Sequence, residues 1–373
     1  MDEPEGLLGA GMISFVKRAY DNFFGAGDAA VTVPPMDGAL LPNDALDRAT
    51  LEHEVVAPDN LVLHQGRVLF SSGRDLLAAN SNGEPERIAT FENVVLAMAS
   101  DGGDTLAIAV AGAGIVIRGG PTDGNVLRLE PSQAQCVTAL CFQGKEHLVV
   151  AVGSSQVTAS DWACDLLRGG ATGCVLRVSL PGESTPLAQR LAWPAGVLAL
   201  ADGRVVVSEA WRHRLVALSG ATPQTQLGNL PAYPGRLSVG GGHTWLSLFA
   251  PRRQMIEFIL REKEFRETMM RDIEPELWMA PTLRPSASFR EPLQGGAVKQ
   301  LGVLKPWAPT RSYGLLVRLG EDFVPQASLH SRADGRRHGI TSSVVSDGRL
   351  FVTSRGGDAV LSLSAAPNGG AGQ

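Results

Sequence analysis

An all-β fold, a six-bladed β-propeller, is predicted by three features of this sequence. A strand–turn–strand pattern recurs, its spacing is near that of propeller blades, and its first strands are apolar throughout. The pattern is clearest in "WPAGVLALADGRVVVSEAWRHRLVAL", residues 193–218, where runs of strand length are separated by Asp202-Gly203 and by a charged, Trp-containing turn. Asp-Gly signals a hairpin because Gly accepts the positive φ that tight turns require.

Five further copies follow the same grammar: "NLVLHQGRVLFSSGRDLLAA" from Asn60, "VVLAMASDGGDTLAIAVAGAGIVI" from Val94, "TALCFQGKEHLVVAVGSS" from Thr138, "GRLSVGGGHTWLSLF" from Gly235 and "ITSSVVSDGRLFVTSRGGDAVLSL" from Ile340. The turn glycines Gly66, Gly103, Gly144, Gly203, Gly242 and Gly348 lie 37, 41, 59, 39 and 106 residues apart, so a base period near 40 carries two insertions. First strands such as 197–200 fit a strand covered on both faces, and the starts of these strands would surround a central channel. A β-sandwich with many hairpins would alternate more cleanly.

Residues 1–50 are expected to form an N-terminal helix and a connecting segment. In "MISFVKRAYDNFF", residues 12–24, Met12, Ile13, Phe15, Val16, Ala19, Tyr20, Phe23 and Phe24 mark an amphipathic helix, either packed on the propeller or turned to a membrane surface or partner. Residues 51–365 form the propeller, with a helical insertion at about 252–311, between the fifth and sixth blades. Its segment "RRQMIEFILREKEFRETMMRDIEPELWM" would either cap the channel mouth or pack at a blade edge. Residues 281–311 read as a loop and 366–373 as a disordered tail.

Composition narrows the function classes. The 373 residues are 44% hydrophobic and 19% charged with 43 glycines, as in a globular chain rich in turns. Net charge is −5 and basic residues are scattered except at Arg332, Arg336 and Arg337, which argues against nucleic acid as a partner. The acidic start Met1-Asp2-Glu3-Pro4-Glu5 lacks the pattern of a secretory signal, and no run reaches the roughly 18 apolar residues of a membrane span. Cys136, Cys141, Cys164 and Cys174 lack zinc-site spacing and read as reduced thiols of a cytoplasmic protein.

Three ordered segments carry a family resemblance. "WPAGVLALADGRVVVSEAWRHRL", "NLPAYPGRLSVGGGHTWLSL" and the stretch from "SYGLLVRLGEDF" to "GGDAVLSL" resemble the corresponding parts of strictosidine synthase-like proteins, over residues 55–365. The resemblance implies a place beside gluconolactonase, regucalcin and paraoxonase, all six-bladed propellers. Gluconolactonase-like members hold a divalent metal through a Glu, an Asn and an Asp at inner-strand starts. The matching positions here are Asp59, Thr138, Ala195 and, in place of "PDN", Pro234-Gly235-Arg236. Ala195 and Gly235 offer no side-chain ligand and Arg236 brings a positive charge, so no metal site of the usual composition is expected. A cation such as calcium, weakly held at Asp59 with Asn60, is the exception left open. The glutamate that strictosidine synthases use for proton transfer falls on Thr341, which is no acid or base near neutrality, so that condensation is not expected.

Two functions remain open on this reading. One is a small-molecule enzyme of hydrolase or lyase type acting on an ester or lactone in the axial channel. Asp59 or His338 would be the base, Arg236 would stabilise negative charge, and Asn60, Thr138, Ala195, Thr341, Ser154 and Tyr233 would contact substrate. The other is a non-catalytic binding or sensing propeller, with His338 no more than a turn residue. Glu209 and Arg214 are expected to bridge a turn over Trp211.

Overall fold

The computed structural model describes residues 32–365 apart from 81–82, 220–221, 287–289, 291–298 and 301–302. Six four-stranded antiparallel sheets form the blades of a six-bladed β-propeller. The innermost strands are Pro58–His64, Val95–Ser100, Val137–Gln143, Pro194–Ala199, Ala232–Gly240 and Ile340–Ser346, and each touches the next around a closed ring. The ring is closed by sequence-distant pairing: Thr50–Glu54 becomes the fourth strand of the last blade by pairing with Ala359–Ser364.

The burial pattern explains why the apolar runs become strands. Second strands such as Leu106–Val110 and Val205–Glu209 are buried along their whole length, because a neighbouring blade covers each face. Outer strands such as Glu86–Thr90 are mostly exposed and carry charges. Each fully buried Val or Leu contributes about 1.5–3 kcal/mol relative to exposure, so Val206→Ala, at 0% exposure, would open a void between blades. Inner strands also approach one another closely. A Cβ on Gly196 would lie 2.3 Å from the carbonyl oxygen of Gly235, so the "PAG" of the fourth blade needs its glycine.

The hairpins between first and second strands fall where the turn glycines predicted them, with positive φ at Gly66, Gly144, Gly203, Gly242 and Gly348. In the second blade the positive φ belongs to Gly102 rather than Gly103. The insertion enters one hairpin earlier than expected. It lies inside the fifth blade, between His243–Pro251 and Gly314–Leu319, and not at its junction with the sixth. It supplies the helices Gln254–Ile259 and Lys263–Asp272. The expected helix at 12–24 and the tail at 366–373 lie outside the described residues. Among the described residues no helix is long and apolar enough to cross a membrane.

Candidate functional site

All six inner strands lose register with their second strands near their start. The irregularities fall between Asp59 and Val62, Val95 and Ala97, Val137 and Ala139, Pro194 and Gly196, Pro234 and Leu237, and Ile340 and Ser342. Such bulges leave residues outside the ladder and re-aim their side chains. They place Asn60, Leu96, Thr138, Ala195, Gly235 with Arg236, and Thr341 around the axis. Of the sequence positions matched to family ligands, Thr138, Ala195, Gly235 and Arg236 are bulge positions, and Asp59 is the last paired residue before one.

Arg236 crosses this ring. Its Nε donates to the carbonyl of Thr138 at 3.0 Å, Nη2 to that of Leu96 at 2.9 Å, and Nη1 to Asp59 Oδ1 at 2.5 Å and to the carbonyl of Thr341 at 3.4 Å. One side chain from the fifth blade thus reaches the first, second, third and sixth. The fourth blade joins through Ser208 Oγ, which donates to the Gly235 carbonyl at 2.6 Å, and through the Pro194 carbonyl, which accepts from Thr138 Oγ1 at 2.5 Å.

Asp59 is the anionic counterpart. Oδ1 also accepts the backbone N–H of Asn60 at 2.8 Å, and Oδ2 accepts Nη1 of Arg355 at 3.0 Å. Burial alone would raise its pKa. Arg236, Arg355, the Thr341 hydroxyl and the Asn60 amide together outweigh that and hold the carboxyl below its ordinary value. Asp59 is therefore an ionised anchor for two guanidinium groups and a poor base.

A cavity of ≈ 470 Å³ opens on one side of this cluster, a size that suits small organic molecules. Asp59, Arg236 and Arg355 form its polar end, and Leu96, Val137, Trp193, Phe249 and Trp162 supply apolar wall. Trp162 begins the helix Trp162–Arg168, which Gly169 ends in a left-handed conformation at φ 69. That helix lies in the long connection of the third blade and covers the mouth with Thr158, Ala159 and Ser160. The insertion packs behind it, where Leu167 meets Met269, Trp278 and Ala280, and Leu283 reaches the cavity itself. Arg236 also lines a second compartment on the far side, with Asn60 and Ser342, so the Asp59–Arg236 pair divides the axial channel.

The expected site residues separate into two groups. Asp59, Arg236, Thr138, Ala195 and Thr341 line the cavity. Asn60 turns to the far compartment, its Nδ2 donating to Ser71 Oγ at 2.8 Å. His338 does not line the cavity. It is 0% exposed, its Nε2 faces the Arg332 carbonyl at 2.7 Å, its Nδ1 faces Ser312 Oγ at 2.8 Å, and burial lowers its pKa. Both ring nitrogens are engaged, so the imidazole is a structural group of the last blade and not a base for the channel. Ser154 is held by Thr172 Oγ1 at 3.0 Å away from the cavity lining, and Tyr233 is 0% exposed, its hydroxyl donating to Glu257 at 3.0 Å.

Arg355, Trp162, Trp193 and Phe249 were not among the expected site residues. Arg355 follows the second strand of the last blade in "TSRGG", and the signal for it was an arginine just past a strand end that returns to the axis. Glu209 bridges its turn as expected: it accepts Arg214 Nε at 2.7 Å, the Ala192 amide at 2.8 Å and a bond from Arg212. Trp211 stacks on Trp193 at 5.2 Å and donates to Asp165 at 2.8 Å.

The donor set does not fit a divalent metal. The one carboxylate at the axis is already neutralised by two arginines, Ala195 and Gly235 bring no ligand atom, and a guanidinium occupies the convergence point of the Leu96, Thr138 and Thr341 carbonyls. A cation there would be repelled by Arg236. Among the described residues no three His, Cys, Asp or Glu side chains cluster for a metal elsewhere.

No protein-family model matches the chain, and no curated protein matches it in sequence. Solved structures do. A calcium-binding protein, regucalcin, from Agrobacterium tumefaciens superposes with TM-score 0.50 at 12% identity, covering 82% of this chain and 85% of its own. A putative gluconolactonase gives TM-score 0.49 at 12% identity, with 85% and 91% covered. A luciferin-regenerating enzyme gives 0.49 at 10% identity, with 82% and 86% covered. At this identity the regucalcin likeness is one of fold.

Proposed function

We propose that the chain is a small-molecule hydrolase of the gluconolactonase and regucalcin kind, acting on an ester or lactone in the axial cavity, with strictosidine synthase-like sequence features but without metal. The observation that carries this reading is the Asp59–Arg236–Arg355 cluster, which holds all the ionisable side chains of a cavity otherwise lined by aromatic, aliphatic and uncharged polar residues. Water would add to the carbonyl carbon, and the oxyanion would face the guanidinium groups, which need no reorganisation because Asp59 fixes them in advance. Collapse would expel the alkoxide, which takes the proton left by water. Rate enhancement would come from charge stabilisation rather than from a protein base.

A non-catalytic binding propeller is the second reading. It is favoured by the absence of a free base among the residues lining the cavity, where Asp59 is the one carboxylate and no histidine appears. A panel of aryl esters and lactones, assayed with and without chelator, separates the two. Turnover that survives chelation and is lost in Arg355→Gln supports the hydrolase. No turnover above the buffer rate for any member leaves the binding reading.

A further inference from the structure

We propose that the axial cavity selects a molecule carrying one negative charge on a flat apolar body, an aryl or aryl-alkyl carboxylate, and that Arg355 grips the carboxylate. This deepens the reading of the cavity as a small-molecule site and rests on it. The ionisable side chains of the lining are Asp59, Arg236 and Arg355, so two positive charges face one negative charge and a single positive charge is left over. Both arginines share the one Asp59 carboxylate, so a monoanion on the more exposed Arg355 would complete the neutralisation through a charge-assisted bond.

The two arginines are not equivalent. Arg236 is held by Asp59 and three backbone carbonyls, and its side chain is 20% exposed. Arg355 has one bond in the cluster, to Asp59 Oδ2, and its side chain is 41% exposed at the cavity. Its remaining N–H groups form the planar fork that matches a carboxylate. Beyond the arginines, Leu96, Val137, Trp193, Phe249 and Trp162 give the rest of the ligand no charge to meet. Trp162 and Phe249 lie edge to face at 5.5 Å, a surface on which a flat ring stacks well.

The test is calorimetric titration of the whole chain with acid and amide pairs of matched shape: benzoate and benzamide, trans-cinnamate and cinnamamide, 1-naphthoate and 1-naphthamide, indole-3-acetate and its amide. At least one acid is expected to bind about tenfold or more tightly than its amide, as a charge-assisted bond requires. In Arg355→Gln the acid preference should shrink to within about twofold. Trp162→Ala should weaken acid and amide alike. Amides binding as well as acids, or no acid binding at about 10 mM, overturns the proposal. Failure of ester turnover would sink the hydrolase chemistry and leave this binding preference standing, so the two failures are distinguishable.

Discussion

Nη1 of Arg236 lies 2.5 Å from Oδ1 of Asp59 and joins the inner strands of the fifth and first blades across the channel. The pair occupies the place where six bulged strands converge, and the same guanidinium holds three backbone carbonyls from other blades. It serves both as a closure for the ring and as a fixed cation for the cavity.

Removing the guanidinium should therefore cost stability as well as function. Arg236→Met leaves a buried carboxylate with one arginine and frees three carbonyls, so unfolding free energy should fall by about 3 kcal/mol. Urea unfolding followed by tryptophan fluorescence measures this. A loss below about 0.5 kcal/mol would mean that the pair is not part of the ring closure.

Arg355 should behave differently. It is partly exposed and makes one bond in the cluster, so Arg355→Gln should change stability by less than about 1 kcal/mol. On an ester or lactone substrate the same change should lower kcat/KM by about 10²–10³, the size of a lost oxyanion donor. Equal activity of the variant and the parent would remove Arg355 from the mechanism.

Much of the fold was legible because a propeller repeats its own instructions. The Asp202-Gly203 hairpin and its five counterparts gave blade number and phase, and the long interval after Gly242 marked the insertion. The position of that insertion is not legible because the insertion itself separates Gly314–Leu319 from His243–Pro251, so no short hairpin shows that the later strand belongs to the fifth blade. The pairing of Thr50–Glu54 with the last blade is a contact between chain ends, which local pattern does not encode. Asp59, Arg236 and Thr341 were found by position. Arg355 is not legible in that way because it reaches the axis from just past a strand end, outside the inner-strand starts. His338 was misplaced because adjacency in sequence to the axial Thr341 does not survive the bulge that turns the chain.

Acid should destabilise the chain in two stages. Burial lowers the pKa of His213, His330 and His338, that of His330 to about 4. Folded, these rings stay neutral. Below the unfolded value of about 6.5 the unfolded chain binds protons that the folded chain refuses, so stability falls as pH drops. Asp59 has the opposite history, since its folded pKa is below the unfolded value of about 3.9. Its contribution is complete above that value and is lost as pH drops through the folded pKa. Tm should decline between about pH 6.5 and 5, and a flat profile there would contradict the neutral burial of these histidines.

Thiol chemistry checks the same burial. Cys136 and Cys141 are free, and burial pushes both thiols up to about 12. Iodoacetamide at about pH 8 should leave Cys136, which is 0% exposed, unmodified in the folded chain and alkylate it in urea. Rapid labelling of Cys136 under native conditions would show that the third blade is not packed as described.

At the propeller axis the Arg236 guanidinium holds the point where the Leu96, Thr138 and Thr341 carbonyls converge. Metal analysis of the purified chain, paired with thermal unfolding before and after chelation, measures whether a divalent ion shares that point with it. The expectation is far less than one bound divalent ion per chain and an unchanged Tm. One tightly held ion per chain, whose removal lowers Tm and which is lost in Asp59→Asn, would contradict it.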